Sequence, residues 1–306
     1  MRVVIGVCTA HRPEMLAACL DALSQQTAPD GARVDLLVVD NEPEPNNGLA
    51  VAQFASVCPF PVHYAHEPRR GIPRARNAIL RGAFSIGADW VAMTDDDCRP
   101  DRAWLAAMLE AAGRHSADVV RGRHVWLPPE PAPYWFVPPS LPAYCDGDRI
   151  NHAGGGNVLF AGWIGERLEF DERLHHGEDT DFFYRAALCG ARVVYSEAPV
   201  VYEGIPRHRA TLRYQTMRSF YYAASRAHFH RRHSGLGKVA ANVGTRLLIQ
   251  APAAVLRLAL APAALLLGER RFKRHVSRGL ARLAGAAGAV SGAAGVIGNP
   301  YRKRSL

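Results

Sequence analysis

Three features of this 306-residue chain predict an α/β fold: a mostly parallel central sheet flanked by helices, followed by a basic, apolar helical tail. Short apolar runs alternate with segments of helical periodicity through the first half, the rhythm of a parallel sheet covered by helices. Aspartates stand just past the ends of two of those runs, at the edge where open parallel sheets bind ligands. The third feature is the distribution of charge. The total is +9, but residues 231–306 carry fourteen Lys/Arg against one acid, Glu269, which makes +13 and leaves −4 for residues 1–230. All three lysines (Lys238, Lys273 and Lys303) lie in that tail. The expected division is an α/β domain over 1–230 and a basic, apolar helical tail over 231–306.

The elements follow in order. Residues 3–8 (VVIGVC) read as a buried strand; Pro13 then suits a first helical turn, with Leu16, Cys19, Leu20 and Leu23 at helical spacing. Residues 34–39 form a second strand ending at Asp40, and residues 61–64 a third. A turn-rich loop (HEPRRGIP) leads to a helix from about Arg74 to Gly87. The strand 90–93 runs into Thr94-Asp95-Asp96-Asp97; Asp101 caps a helix over 102–114, and 117–121 is another strand. Residues 128–142 (PPEPAPYWFVPPSLP) cannot form a regular element and are expected to be a lid or wall. The glycine cluster 154–157 precedes a short strand, a helix opens near Glu178 and ends at Gly190, residues 191–196 form a strand, and 211–231 are helical. In the tail, 247–267 is long enough to cross a bilayer but contains Gln250, Arg257 and two prolines. Gly288 and Gly292 then form a GxxxG, and the chain ends in YRKRSL.

Hydrophobic content of 48% with 21% charged residues excludes a disordered or fibrous chain. The six cysteines show no paired spacing, which predicts free thiols in a reducing compartment rather than a zinc site or disulfide framework. Residue 3 already lies in a strand, with no signal-peptide pattern before it, so the body is expected to be cytoplasmic.

The chemistry is carried by the acids. Three consecutive aspartates raise one another's pKa, and a divalent cation relieves the repulsion. Oxygen-only ligands suit Mg²⁺ or Mn²⁺, which usually binds carboxylates together with substrate phosphates and so points to a nucleoside diphosphate donor. The bland reading of such a triplet is a solvated turn capping the next helix; the strand context and Asp40 weigh against it. Glu178-Asp179 opens a helix, where acids often serve only the helix dipole, a reading that suits Asp181. One carboxylate of the pair can instead stand in a cleft as a general base. The loop Arg69–Asn77 offers arginines suited to phosphate at a helix start, although Arg69, Arg70 and Arg74 singly read as solvated turn residues. GLGK at 235–238 fails as a P-loop, no GxGxxG follows a strand, and HHGED lacks the histidine spacing of a zinc protease.

Seven blocks in order over residues 3–230 resemble family-2 glycosyltransferases of the GT-A fold, in particular bacterial exopolysaccharide glucosyltransferases of the succinoglycan type. They are VCTAHRPEML (7–16), VVDNEP (38–43), EPRRGIPRARNA (67–78), TDDDCRPDRAWL (94–105), GGNVLF (155–160), GEDTDFFYRAALCGARVVY (177–195) and VYEGIPRHR (201–209). The resemblance implies that Thr9 and Asp40 hold uridine, with Arg76, Asp95 and Asp96 also on the nucleotide-sugar. It implies that Asp97 and Asp95 hold Mn²⁺ or Mg²⁺, with Asp97 the main metal ligand, and that Asp179 is the catalytic base. Gly156, Asn157 and Glu178 fall on the acceptor side. The chain has His11 where the family usually carries an aromatic residue, and Cys98 where an acid is common after the triplet. The processive QxxRW is replaced by Gln215–Ser219, which implies one sugar per encounter.

The implied function is inverting, metal-dependent transfer from a nucleotide-diphospho-sugar, such as a UDP-hexose, to a lipid-linked oligosaccharide at the cytoplasmic face of the inner membrane. The competing readings are a nucleotidyltransferase-like enzyme, which would release pyrophosphate, and a basic module binding lipid or nucleic acid. A nucleic-acid arm would lack the long apolar run between its basic clusters, so no nucleic-acid partner is expected. The apolar segments bracketed by Arg and Lys fit an interfacial or re-entrant membrane element.

Overall fold

The structure is a computed structural model that describes residues 1–133, 135–136 and 144–298. Residues 134 and 137–142 of the expected lid, residue 143, and residues 299–306, which include the terminal YRKRSL, lie outside the described residues. Those described form two compact units, one from 1–127, 144–173 and 178–204, the other from 128–133, 135–136, 174–177 and 205–298.

The first unit runs β1 (Arg2–Thr9), α1 (Pro13–Ser24), β2 (Arg33–Asp40), α2 (Gly48–Ala55), β3 (Val62–His66), α3 (Ile72–Ile86), β4 (Trp90–Asp95), β5 (Cys98–Pro100), α4 (Trp104–Arg114), β6 (Val119–Leu127), β7 (Arg149–Ile150), β8 (Asn157–Ala161), α5 (Gly162–Arg167), α6 (Glu178–Leu188) and β9 (Val193–Gly204). The sheet order is β3-β2-β1-β4-β8-β6-β9-β5, with β7 also on β9. β1, β2, β3, β4, β6 and β9 share one direction, and β8, β5 and β7 oppose it.

β1 is an unbroken apolar run because helices cover both faces of the sheet. Val3, Ile5 and Val7 enter a core with Leu16, Leu20, Trp104 and Met108 from α1 and α4. Val4 enters the opposite core with Ile79, Phe182 and Phe183 from α3 and α6. Each such side chain contributes about 1.5–3 kcal/mol on burial. Gly6 lets α3 approach β1 closely, since a Cβ there would collide with the Ile79 side chain. α3 carries Pro73 in its first turn and ends at Gly87, whose φ of 77° is left-handed, the usual glycine stop.

Two strands are longer than expected. β6 reaches Leu127 instead of 121, and β9 continues past 196 to Gly204. Pro199 reads as a strand end, but the β6–β9 ladder shifts register between Arg121 and Arg123 and absorbs it. α2, α5 and β5 are absent from the sequence reading. They are short, and the three residues of β5 are held only by pairing with distant β9.

In the second unit, a 3-10 turn at Arg207–Ala210 leads to α7 (Leu212–His233), which Thr211 caps by accepting from the Tyr214 amide at 3.3 Å. α8 (Leu236–Gly244), a π-helical turn (Thr245–Gln250), α9 (Ala251–Ala259), α10 (Ala261–Leu265) and α11 (Glu269–Ala293) follow. Gly288 and Gly292 of α11 lie against the backbone of Phe220 and Ala224 in α7, with no room for a Cβ at either. The GxxxG is therefore occupied within the chain, beside buried Ala223, Ala227 and Ala289.

Candidate active site

Strand register sets the site. Thr9 pairs with Asp40 across β1–β2, and Cys8 with Asp95 across β1–β4, so both acids stand level at the C-terminal edge where the strand order turns back. Asp40 is fully buried. Its Oδ2 accepts from the Asn46 and Asn47 amides, Asn47 Nδ2 and the Tyr64 hydroxyl, at 2.9–3.1 Å. Its Oδ1 is buried with no hydrogen-bond partner, an expensive arrangement that a ligand donor would relieve. Burial and Asp40 push the Tyr64 hydroxyl up to about 12.

The triplet divides its work. Asp96 accepts from Thr9 Oγ1 at 2.9 Å, so the Thr9 hydroxyl holds the triplet. Arg12 Nη1 lies 2.9 Å from Asp96 Oδ1 and 3.0 Å from Asp97 Oδ2, compensating both charges. Burial first, then Asp97 and Asp95, pushes Asp96 up to about 6 against the pull of Arg12 and Thr9. Asp95 is also raised, first by desolvation in the surrounding protein and then by Asp97 and Asp179, with Arg76 opposing. Its side chain nonetheless keeps 44% of its surface exposed to solvent.

Arg76 is the one arginine of its loop that reaches these acids. Arg69 is spent on Glu67, Arg74 on Glu172, and Arg70 lies beside the His11 ring. Asn41 ties the same loop to β2, donating to the Glu67 and Arg69 carbonyls and accepting from the Gly71 amide. Buried Arg76 donates to Glu178 Oε1 at 2.6 Å and to Asp95 Oδ1 at 3.4 Å, with Asp179 Oδ2 3.9 Å away. Burial works against its charge, but Glu178, Asp95 and Asp179 outweigh it and hold the guanidinium protonated. Glu178 is pushed up to about 7 by burial, with Arg76 opposing and Asp179 adding.

Asp179 differs from its neighbour. It is 25% exposed and accepts from the Gly155 amide at 3.1 Å and the Thr180 amide at 2.6 Å. The glycine cluster makes room for this. A Cβ on Gly155 would strike the Arg76 guanidinium, and one on Gly156 would sit 2.5 Å from Asp95 Oδ2. Asn157 is buried and fully engaged, accepting from Trp104 Nε1 at 2.7 Å and donating to the carbonyls of Arg123 and Pro199. Its side chain holds α4, β6 and β9 together.

The sequence reading missed His124 and Glu203. Cys98 pairs with Glu203 across β5–β9, and Cys98 Sγ lies 4.0 Å from Asp97 Oδ1. Ligand atoms of Cys98, His124 and Glu203 lie within 4.8 Å of one another. His124 stacks on Trp126, and Trp126 Nε1 donates to Glu203 Oε2 at 3.0 Å. Burial, then Arg121, pushes His124 down to about 4, leaving a neutral ring whose buried Nδ1 has no hydrogen-bond partner. The sequence signal was an acid closing an apolar strand in VYEG; without the β5–β9 pairing nothing joined it to the triplet. The adjacent carboxylates of the triplet are oxygen donors of the kind a hard divalent cation takes.

A mostly parallel sheet with acids at the ends of β2 and β4, beside the end of β1, and a second acid pair opening α6 across a buried arginine, fits a glycosyltransferase of the GT-A fold. The chain belongs to glycosyltransferase family 2, whose family description, Glycosyl transferase family 2, matches residues 4–163. It is 33% identical over 230 residues to the succinoglycan biosynthesis protein ExoM of Rhizobium meliloti (strain 1021), covering 72% of each chain. A galactofuranosyltransferase of Mycolicibacterium smegmatis is 38% identical over 119 residues, 37% of this chain and 36% of that one. Among solved structures, a mannosyltransferase of Pyrobaculum calidifontis, in complex with GDP-Man and Mn²⁺, superposes with a TM-score of 0.63 at 20% identity, covering 99% of this chain and 88% of that one. S. aureus TarS 1-349 with UDP-GlcNAc gives 0.56 at 15% identity, covering 100% and 95%.

Proposed function

We propose that this glycosyltransferase moves one sugar, with inversion, from a nucleotide-diphospho-sugar such as a UDP-hexose to a lipid-linked saccharide in bacterial surface-polysaccharide synthesis. The observation that carries the chemistry is the set of carboxylates around Arg76: Glu178 locked onto the guanidinium, Asp95 beside it and Asp179 left partly exposed. The relationship to a succinoglycan biosynthesis protein supports the polysaccharide context.

In this reading Asp40 receives the nucleoside through its unpartnered Oδ1, with Thr9 and Asp96 bracing the edge on which the nucleotide lies. Asp97 and Asp95 would hold Mn²⁺ or Mg²⁺, with Glu203 in reach of the same edge. Such a cation, when bound, neutralises the charge of the donor diphosphate. Arg76 orients Asp95 and adds positive charge on the same side. Asp179 takes the proton from an acceptor hydroxyl while that oxygen bonds to the anomeric carbon. The bond from that carbon to the phosphate oxygen breaks, the nucleoside diphosphate leaves, and one displacement inverts the centre. Gly156 and Glu178 border the acceptor side, and Asn157 fixes the strand beneath them.

The acceptor is proposed to lie at the cytoplasmic face of the inner membrane, to which the basic second unit brings the enzyme. A panel of nucleotide sugars, incubated with Mn²⁺ or Mg²⁺ and membrane extracts, tests the reading. Release of a nucleoside diphosphate with a product of inverted anomeric configuration is expected. Release of pyrophosphate, or turnover unaffected by EDTA, would overturn it.

A further inference from the structure

The helices after α7 show an inverted pattern. Every exposed residue from 247 to 267 is Leu, Ile, Val, Ala or Pro, and Leu248, Ile249, Leu256, Leu260, Leu266 and Leu267 stand out among them. They are spread over the π-helical turn, α9, α10 and the residues just after it, where Leu247, Val255 and Leu265 are exposed as well. The buried positions of the segment are small ones, Ala254, Ala261 and Ala264. A helix on a water-facing surface normally presents the reverse arrangement.

The run Leu236–Ala259 is long and apolar enough to cross a bilayer, and only 6% of its most apolar window is buried. Its packing argues against crossing. Gly279 of α11 is buried beneath Leu258 of α9, close to the Ala254 carbonyl, and His275 of α11 lies 3.4 Å from the Arg257 carbonyl. The part of α11 joined to α9 in this way is its most basic, with exposed Arg270, Arg271, Arg274 and Arg278. Each arginine at bilayer depth costs about 2.5–3.5 kcal/mol, so α9 cannot enter the hydrocarbon core without leaving α11 or taking those charges with it.

We infer that α9 and α10 lie in the plane of an anionic bilayer, apolar face down in one leaflet, with the α11 arginines beside them at the level of the phosphates. This deepens the membrane placement proposed above and rests on it only for the side of the membrane. Apolar burial and attraction of basic residues to anionic headgroups act together in such an element. An apolar face flanked by arginines matches a charged lipid surface, whereas a second copy of this chain would bring the same positive charges together.

The test uses the full chain and vesicles of phosphatidylcholine with or without phosphatidylglycerol, read by co-sedimentation. Wild type is expected to bind the anionic vesicles strongly and the neutral ones weakly. Leu248→Glu/Leu256→Glu should lose at least about tenfold in binding to both, while R271E/R274E/R278E should lose the preference for the anionic ones. Helix content by circular dichroism and donor binding check that each variant is folded. Nitroxides on L248C, L256C and L266C, in a C145S/C189S background, should all report shallow depths. A transmembrane course would separate the first and last by about 27 Å and overturn the proposal. Vesicle binding unchanged in the double glutamate variant, or a dimer in solution that this variant converts to monomer without loss of lipid binding, would also overturn it. None of these measurements depends on sugar transfer, so failure here is distinct from failure of the proposed reaction.

Discussion

Arg76 Nη1 donates to Glu178 Oε1 at 2.6 Å, joining α3 to α6 across 102 residues, with both side chains nearly out of solvent. The pairing sorts two adjacent carboxylates. Glu178 belongs to the guanidinium, while Asp179 keeps contact with solvent and the Gly155 amide. In the proposed reaction the base must meet an acceptor hydroxyl, and solvent contact favours Asp179 for that role over buried Glu178.

Asp179→Asn is therefore expected to lower transfer by about 10²–10⁴-fold, the usual worth of a positioned general base. Donor affinity should stay near wild type. Nucleoside diphosphate release and calorimetric titration with donor measure the two separately; retained turnover would remove Asp179 from the role.

Removing the guanidinium with Arg76→Met leaves Glu178 and Asp95 without their buried partner. Breaking one side of a buried ion pair costs about 3–5 kcal/mol. Urea unfolding should show a loss of that size, with Arg76→Lys falling between the two.

Glu178 also predicts a pH dependence. Its folded pKa is raised from the ordinary 4.5 to about 7, so the folded state binds this proton more tightly than the unfolded chain does. The contribution to stability is complete below pH 4.5 and is lost as pH rises through about 7. In metal-free buffer Glu178→Gln should remove that part of the slope, seen by comparing urea midpoints across the window.

Arg12 lies on Asp96 and Asp97 much as a cation would. With its side chain one-third exposed, the pairing is screened, and Arg12→Gln should tighten Mn²⁺ binding by only about two- to fivefold. Paramagnetic resonance of free Mn²⁺ gives the affinity directly. Asp97→Asn should weaken it, and equal binding by both variants would put the metal elsewhere.

Gly156→Ala places a methyl group 2.5 Å from Asp95 Oδ2. Asp95 is half-exposed and can turn away, so the fold should survive with little change in melting temperature. A displacement of about 1 Å at a reacting group can cost about 10²-fold in rate, and a loss of that order in turnover is expected.

The β-α alternation, the strand-end positions of Asp40 and Asp95, and the proline and glycine bounds of α3 were all legible in the sequence. Each depends on local periodicity or on a backbone preference that a single residue states. Arg76 was set apart from Arg69, Arg70 and Arg74 by the family resemblance; what occupies the other three, Glu67, Glu172 and the His11 ring, appeared only in three dimensions. The GxxxG of α11 was visible as a motif but not as a contact with Phe220 and Ala224 of α7.

By itself the sequence determined an α/β sheet with acids gathered at its ligand-binding edge and a basic, apolar end, because periodicity, turn residues and charge are written residue by residue. Only the tertiary structure decided which acid pairs with Arg76, that Asn157 serves packing, and that Glu203 and His124 stand beside Cys98 through the β5–β9 and β6–β9 ladders. Those outcomes are contacts between residues far apart in the chain, and what decides them is which neighbours desolvate and compensate each charge once the strands have paired.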